Sequence, residues 1–148
     1  MGEVREILAD QSARGARALL ELRPQFGTPE AIVAQVEAQR PAGYRIVGSF
    51  DDADEDAAAV AGFRVGESLA WGRYLYVDDL VTSESMRGRG HADAVMSWVE
   101  DEARRLRCDQ LHLDSGVGPE RADAHRFYFR HRLRIASYHF VRGLGEGG

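Results

Sequence analysis

Apolar and polar residues recur with two periods along this chain, and the periods separate predicted strands from predicted helices. The clearest helix starts near Ala92, because apolar residues recur there at steps of three and four as far as Leu106. Runs that alternate apolar and polar residues predict strands, and no internal repeat is present. Helices are predicted at 11–22, 29–40, 92–106 and 120–131, and strands at 4–9, 44–50, 57–65, 69–81, 110–114 and 135–141. This order predicts a single α/β domain over residues 1–148.

The connection between the strand at 69–81 and the central helix is rich in glycine and arginine. Residues 87–92 read Arg-Gly-Arg-Gly-His-Ala. Gly88 and Gly90 allow positive φ and close approach of a ligand, while Arg87 and Arg89 add charged donors. Unpaired N–H groups at a helix N-terminus favour an anion such as a pyrophosphate. The alternative is an ordinary loop whose arginines extend into solvent.

Two familiar phosphate-binding loops do not fit this segment. The P-loop requires a lysine, and the chain contains none. The dinucleotide fingerprint requires a third glycine three residues after Gly90, where Asp93 stands instead. A P-loop NTPase is therefore excluded, and the sequence argues against a dinucleotide-binding fold.

Three motifs in order resemble the GNAT family of acetyltransferases over roughly the C-terminal half of the chain. Arg87, Gly90 and Ala92 match its acyl-CoA loop, Arg/Gln-x-x-Gly-x-Gly/Ala. Upstream, Leu80, Thr82 and Glu84 occupy the positions of Leu-x-Val-x-Pro. Downstream, the helix at 120–131 carries the family's Ala-x-x-Phe-Tyr pattern at 124–128. The resemblance implies a mixed, mostly antiparallel central sheet, flanked by helices on both faces and splayed at the acyl-CoA site.

The resemblance also implies how acetyl-CoA, the expected co-substrate, would bind. Its pantetheine arm would lie along the splayed strand, its pyrophosphate on the loop, and a backbone N–H near Leu80 or Val81 would polarise the thioester carbonyl. No metal is expected. The implied cofactor-binding residues are Leu80, Val81, Thr82, Arg87, Gly88, Arg89, Gly90, His91 and Ala92.

Two proton transfers need side chains, and the candidates are Asp78, Asp79 and Tyr128. An amine must lose a proton before it attacks the thioester, and either aspartate could accept it through a water. On an alternating strand only one of the two faces the site, and the sequence leaves open which. Similarity to the family places the Tyr128 hydroxyl near the CoA sulfur; the alternative is a core aromatic. His91, His112 and His125 are expected to be surface or capping groups.

Composition narrows the partners. The net charge of −5 argues against nucleic acid, no apolar run is long enough for a membrane span, and Cys108, the single cysteine, suits a reducing cytoplasm. The acidic stretch at 51–56 is expected to be a solvated hairpin connection, since it lacks the glycine and glutamate of a calcium loop.

The sequence thus predicts a cytoplasmic acetyl-CoA-dependent N-acetyltransferase that acts on a primary amine by direct attack in a ternary complex. A small-molecule acceptor is favoured, and a peptide amine stays open. The rival interpretation is a non-catalytic acyl-CoA-binding regulatory module. The apolar strand predicted at 135–141 leaves a homodimer open as well. Arg121 and Arg132-Leu133 depart from the family's asparagine and Gly-Phe near the fourth helix.

Overall fold

The computed structural model describes residues 2–52 and 55–145. Contacts divide the chain after Leu113 into two compact units. The first unit contains one five-stranded sheet in the order β1-β2-β3-β4-β5. Neighbouring strands are antiparallel except β4 and β5, which are parallel. The strands are β1 (Glu3–Ile7), β2 (Arg45–Phe50), β3 (Ala59–Ser68), β4 (Gly72–Thr82) and β5 (Gln110–Leu113).

Helices cover both faces of this sheet. On one face, α1 (Ala13–Leu22) and α2 (Pro29–Gln39) pack on strand residues such as Ile46 and Val60. On the other, α3 (His91–Arg105) places Val95 and Val99 in a second core cluster. The two-sided core confirms the fold class predicted from the sequence. Trp98, which falls off the apolar stripe of α3, contacts the ring of Phe63, with ring centroids 6.0 Å apart.

The second unit contains α4 (Ala122–Arg130) and the segment that follows it. The strand predicted at 135–141 is wrong: these residues form no strand, and Tyr138 and Phe140 are 89% and 91% exposed. Alternating apolar residues satisfy the strand pattern, but a strand also requires a partner for its backbone groups. None of the helices in the described residues is long and apolar enough to cross a membrane. Residues 53 and 54 of the acidic connection lie outside the described residues.

Candidate active site

The centre of the site is a β-bulge in β4. The antiparallel register pairs Gly62 with Asp79 and Phe63 with Val77, so Asp78 is an extra residue on β4. Pairing between β4 and β5 stops at Val77 and Leu113, whereas β4 continues to Thr82. Among the described residues, no strand pairs with the β5-facing edge of 78–82. A bulge increases local twist, and here it coincides with the point where the two parallel strands part.

Asp79 faces α1 and α2 and is held by two side chains. Its Oδ1 accepts a hydrogen bond from Arg23 Nε at 3.0 Å and forms an ion pair with Arg23 Nη2 at 2.9 Å. Its Oδ2 accepts one from the Tyr44 hydroxyl at 2.8 Å. The carboxylate is 15% exposed. Asp79 is therefore an ion-paired carboxylate rather than a free one.

Tyr44 reaches Asp79 because Gly62 leaves room for it. A Cβ built on Gly62 would lie 1.9 Å from the Tyr44 hydroxyl oxygen, so any side chain at that position would displace the ring. Tyr44 is buried. Burial, followed by the charge of Asp79 and the hydrogen bond to it, raises the pKa of Tyr44 well above its usual value. Tyr44 consequently stays protonated and acts as a donor to Asp79.

Asp78 is held differently. Its carboxylate accepts a bidentate pair from Arg64, at 2.7 Å from Nε and 2.8 Å from Nη2. Its backbone carbonyl accepts from Arg23 Nη2 at 3.1 Å. Arg23 thus bonds both bulge residues, and Arg64 occupies the Asp78 carboxylate. The bulge interrupts the alternation of side chains along β4, so alternation does not decide which aspartate faces the site. The two carboxylates differ instead in their hydrogen-bond partners.

A cavity of about 220 Å³ opens beside Asp79, between α1, α2 and the bulge. Asp79, Arg23 and Tyr44 line it at the sheet. The other lining residues are the apolar Leu19, Phe26, Ile32 and Val36 and the amides Gln25, Gln35 and Gln39.

The glycine-rich loop presents backbone donors beside open space. Gly88 and Gly90 have φ of 81° and 83°, and a Cβ at either would meet nothing within 4 Å. Within the described residues, no backbone carbonyl accepts from the N–H of Gly88, Arg89 or Gly90. Helix α3 starts at His91, one residue earlier than predicted, and the first N–H groups of a helix have no partner within it. These donors and the helix dipole fit a pyrophosphate.

His91 is not the surface or capping group that the sequence predicted. Its ring is buried, with Nδ1 2.7 Å from Ser49 Oγ and Nε2 2.9 Å from Asp51 Oδ1. Arg89 Nη1 donates to Asp51 Oδ2 at 2.7 Å. Burial raises the pKa of Asp51, but the bonds from Arg89 and His91 outweigh it and leave that pKa lowered. Asp51 therefore connects the loop and the start of α3 to the end of β2. Of this group, the sequence predicts a charged role in the loop for Arg89 alone.

Tyr128 belongs to α4 in the second unit and is half-buried. Burial raises the pKa of its hydroxyl, partly offset by the charge and hydrogen bond of Arg121. Within the same unit, His125 Nε2 lies 3.0 Å from Ser115 Oγ and 2.9 Å from the Gly116 carbonyl oxygen. In the first unit, the His112 ring stacks on Trp71, with ring centroids 3.6 Å apart.

Sequence reasoning missed Tyr44, Arg23, Arg64 and Asp51. Tyr44 begins a strand-like run and Arg23 follows a helix, so neither stands in a recognisable pattern. Gly62, inside a predicted strand, was a usable signal, because an isolated glycine there often marks a bulge or close approach of another group. Among the described residues, no cluster of three or more His, Cys, Asp or Glu side chains could hold a metal ion.

Comparison with known proteins assigns the family. The model of the GNAT acetyltransferase family matches residues 6–132. The chain therefore belongs to the GNAT family of acetyltransferases, which use acetyl-CoA as co-substrate. This confirms the resemblance inferred from the acyl-CoA loop and α4.

The chain is similar in sequence to individual N-acetyltransferases and similar in fold to solved structures. An aminoalkylphosphonate N-acetyltransferase of Salmonella typhimurium is 31% identical over 68 residues, which are 46% of this chain and 43% of that protein. The chain spans less than half of the length of the curated relatives it matches. The crystal structure of a ribosomal-protein-alanine N-acetyltransferase from Brucella melitensis has a TM-score of 0.80 at 17% identity, covering 98% of this chain and 100% of that one. A glucosamine-6-phosphate N-acetyltransferase from Arabidopsis thaliana has a TM-score of 0.74 at 18% identity, covering 98% and 99%.

Proposed function

We propose that this protein transfers an acetyl group from acetyl-CoA to a small primary amine by direct attack in a ternary complex. The observation that carries the proposal is the bulged strand β4. Among the described residues, its edge beyond Val77 has no partner strand, and it leads into a loop at the start of α3 whose N–H groups have no backbone acceptor. A co-substrate with an extended amide-containing arm and a pyrophosphate matches both parts. The edge offers amide donors and acceptors, and the loop offers an anion site.

In this proposal the backbone of Leu80, Val81 and Thr82 pairs with the pantetheine arm. The N–H groups of 87–92 hold the pyrophosphate, and a backbone N–H near Leu80 or Val81 stabilises the developing oxyanion. Arg87 adds charge at the loop. Arg89 already pairs with Asp51, so it contributes to phosphate binding only if its guanidinium bridges Asp51 and a phosphate oxygen.

The acceptor amine enters from the cavity beside Asp79. Its nitrogen attacks the thioester carbonyl carbon, an N–C bond forms, and the C–S bond breaks to release CoA as its thiolate. The amine gives up its surplus proton to Asp79 through a water. Asp79 is favoured over Asp78 because Asp79 lines the cavity and Asp78 does not.

Tyr128 protonates the departing thiolate. This role rests on the family resemblance; burial raises the pKa of the Tyr128 hydroxyl, which is therefore protonated at neutral pH. A hydroxyl that stays protonated can donate to a thiolate, and no side-chain nucleophile is needed for direct attack.

The proposal includes a cytoplasmic location and a small-molecule acceptor. Cys108 is a free thiol, which suits a reducing compartment. The cavity of about 220 Å³ suits a small amine, and a peptide amine would enter it with its terminus alone. A homodimer is part of the proposal because Ile135, Tyr138 and Phe140 are exposed apolar side chains. Size-exclusion chromatography tests the dimer, and elution as a monomer alone would remove it.

Calorimetric titration with acetyl-CoA, followed by thiol-release assays over a panel of primary amines, tests the function. Saturable binding with amine-dependent thiol release supports it. Saturable binding without thiol release with any amine of the panel would overturn the proposed enzymatic activity and favour an acyl-CoA-binding regulatory module. Absence of binding would remove the acyl-CoA site altogether.

A further inference from the structure

The cavity beside the bulge is electrically balanced. Among the described residues, those of its lining that carry a charge are Arg23 and Asp79, one cation and one anion. The two are in direct contact, with Arg23 Nη2 2.9 Å from Asp79 Oδ1. The remaining described lining is uncharged: apolar side chains, neutral amides and Tyr44. An entering ammonium group would therefore find no unpaired counter-charge in this cavity.

Arg23 is also fixed in place. Its Nη2 donates to the Asp78 carbonyl at 3.1 Å and its Nε to Asp79 at 3.0 Å, so it spans both bulge residues. Tyr44 occupies the other Asp79 oxygen from a buried position. An alkylammonium at Asp79 would share a carboxylate whose charge Arg23 already balances, so it would place a second cation beside Arg23 and would lose its own hydration as well. A neutral amine avoids both costs.

We infer that the acceptor cavity admits its amine in the neutral form, and that its substrates are small α-amino compounds rather than alkylamines. This inference rests on the proposed function. An α-amino group beside a carbonyl has a pKa near 8, whereas a lysine-like amine has a pKa near 10.4. At pH 7 the neutral fraction of the first exceeds that of the second by roughly 10²-fold or more. Arg23 is then a specificity-determining residue, because its charge cancels that of Asp79.

The test compares two acceptors, alaninamide and an alkylamine with the same number of non-hydrogen atoms, at pH 7. The readout is the ratio of their kcat/KM values. The wild-type protein should favour alaninamide by at least tenfold. Arg23→Gln removes the cation, leaves Asp79 unbalanced and should shift the ratio toward the alkylamine by tenfold or more. Because the intrinsic reactivity of each amine is the same for both proteins, the shift between them reports the cavity alone.

Two variants control this comparison. Arg23→Lys retains the charge and should keep the wild-type ratio. Arg14→Gln removes a charge from helix α1, which ends just before Arg23; Arg14 Nη1 donates to the Glu55 carbonyl at 3.3 Å, away from the cavity lining, so this variant should leave the ratio unchanged. Acetyl-CoA affinity, measured for every variant, verifies that the fold is intact.

The outcomes separate this inference from the function beneath it. Thiol release with both amines and a ratio that Arg23→Gln does not move would overturn the neutral-amine inference and leave the acetyltransferase standing. A wild-type preference for the alkylamine would do the same. If no amine of any kind supported thiol release, the proposed function would be overturned and the inference with it.

Discussion

The hydroxyl of Tyr44 donates to Oδ2 of Asp79 over 2.8 Å, across 35 positions of sequence. This bond connects the segment before β2 to the bulge of β4 and fixes the direction of the carboxylate that faces the cavity. Tyr44 is buried and its pKa is raised, so the donor stays protonated over the working pH range. The bond makes Tyr44 a positioning residue for Asp79.

Replacing Tyr44 with phenylalanine should weaken catalysis without weakening acetyl-CoA binding. The variant removes one donor to a carboxylate, a bond of about 1.5–3 kcal/mol, so kcat/KM for the amine should fall roughly 10-fold or more. Calorimetry should give an unchanged Kd for acetyl-CoA. Tyr74→Phe is the matched control, since Tyr74 lies over Gly66 rather than Gly62 and away from Asp79. Equal losses in the two variants would mean that tyrosine packing, and not the bond to Asp79, is responsible.

Gly62→Ala should destabilise the fold and disturb the same contact from the other side. The added Cβ would lie 1.9 Å from the Tyr44 hydroxyl oxygen and 2.5 Å from its ring carbon Cζ, so the ring must move. Overpacking of this kind costs about 1–3 kcal/mol in the free energy of unfolding, measured by urea denaturation. Gly116→Ala is the control, because its Cβ would make only ordinary contacts of 3.7 Å or more. Equal stability of both variants would show that Tyr44 can leave its position freely.

The order of helices and strands up to β5 was predictable because each element has a clear apolar period. The glycine-rich turn before α3 was predictable because glycine positions and a following helix suffice to define it, and its binding of an anion stays a prediction. The strand at 135–141 was wrongly predicted, since periodicity indicates which side chains alternate and not whether a partner strand is present. Pairing is a property of the whole sheet.

The partners of the aspartates could not be read from the sequence for a related reason. Tyr44 and Asp79 meet only because a bulge adds Asp78 and a glycine at 62 leaves space. His91 was assigned to the surface because loop histidines commonly lie there, yet Ser49 and Asp51 enclose it from β2. Contacts between distant segments decide both cases.

Gly90→Val should weaken acetyl-CoA binding. The φ of Gly90 is 83°, a conformation costly for a β-branched residue, and the side chain would fill the space beside the loop N–H groups. Calorimetry should show affinity reduced at least tenfold. Gly27→Val has the same type of strain, with φ of 81° in open space, but lies after α1 and should retain wild-type affinity. Undiminished binding by Gly90→Val would place the pyrophosphate elsewhere.

Tyr128→Phe should reduce turnover by roughly 10²-fold and leave acetyl-CoA affinity nearly unchanged, because a general acid acts only as the C–S bond breaks. Single-turnover thiol release measures the chemical step directly. Tyr138→Phe is the control, since Tyr138 is 89% exposed. A wild-type rate in Tyr128→Phe would remove this hydroxyl from the chemistry and leave the thiolate to take its proton from water.

Glu102 should govern part of the acid stability of the protein. Its side chain is 7% exposed. Arg105 donates to it from Nε and Nη2, both at 2.7 Å, and Arg45 from Nη2 at 2.6 Å. The bonds from Arg105, opposed by burial and reinforced by those from Arg45, lower the pKa of Glu102 from 4.5 to about 2. Because the folded-state pKa lies below the unfolded one, the stabilisation is complete above pH 4.5 and disappears as the pH falls to about 2.

Glu102→Gln should therefore lower the free energy of unfolding at pH 7 by about 2 kcal/mol and flatten its dependence on pH between 4.5 and 2. The figure is less than the full pKa difference implies, since Arg105 is largely exposed to solvent. Urea denaturation at intervals across this pH range measures both effects. Asp101→Asn, one position away and 81% exposed, should leave the pH dependence as it is in the wild type. If the free energy of unfolding of Glu102→Gln kept the wild-type dependence on pH, the acid sensitivity would have to arise from other carboxylates. The bonds from Arg45 and Arg105 would then not lower the pKa of Glu102 in the folded state.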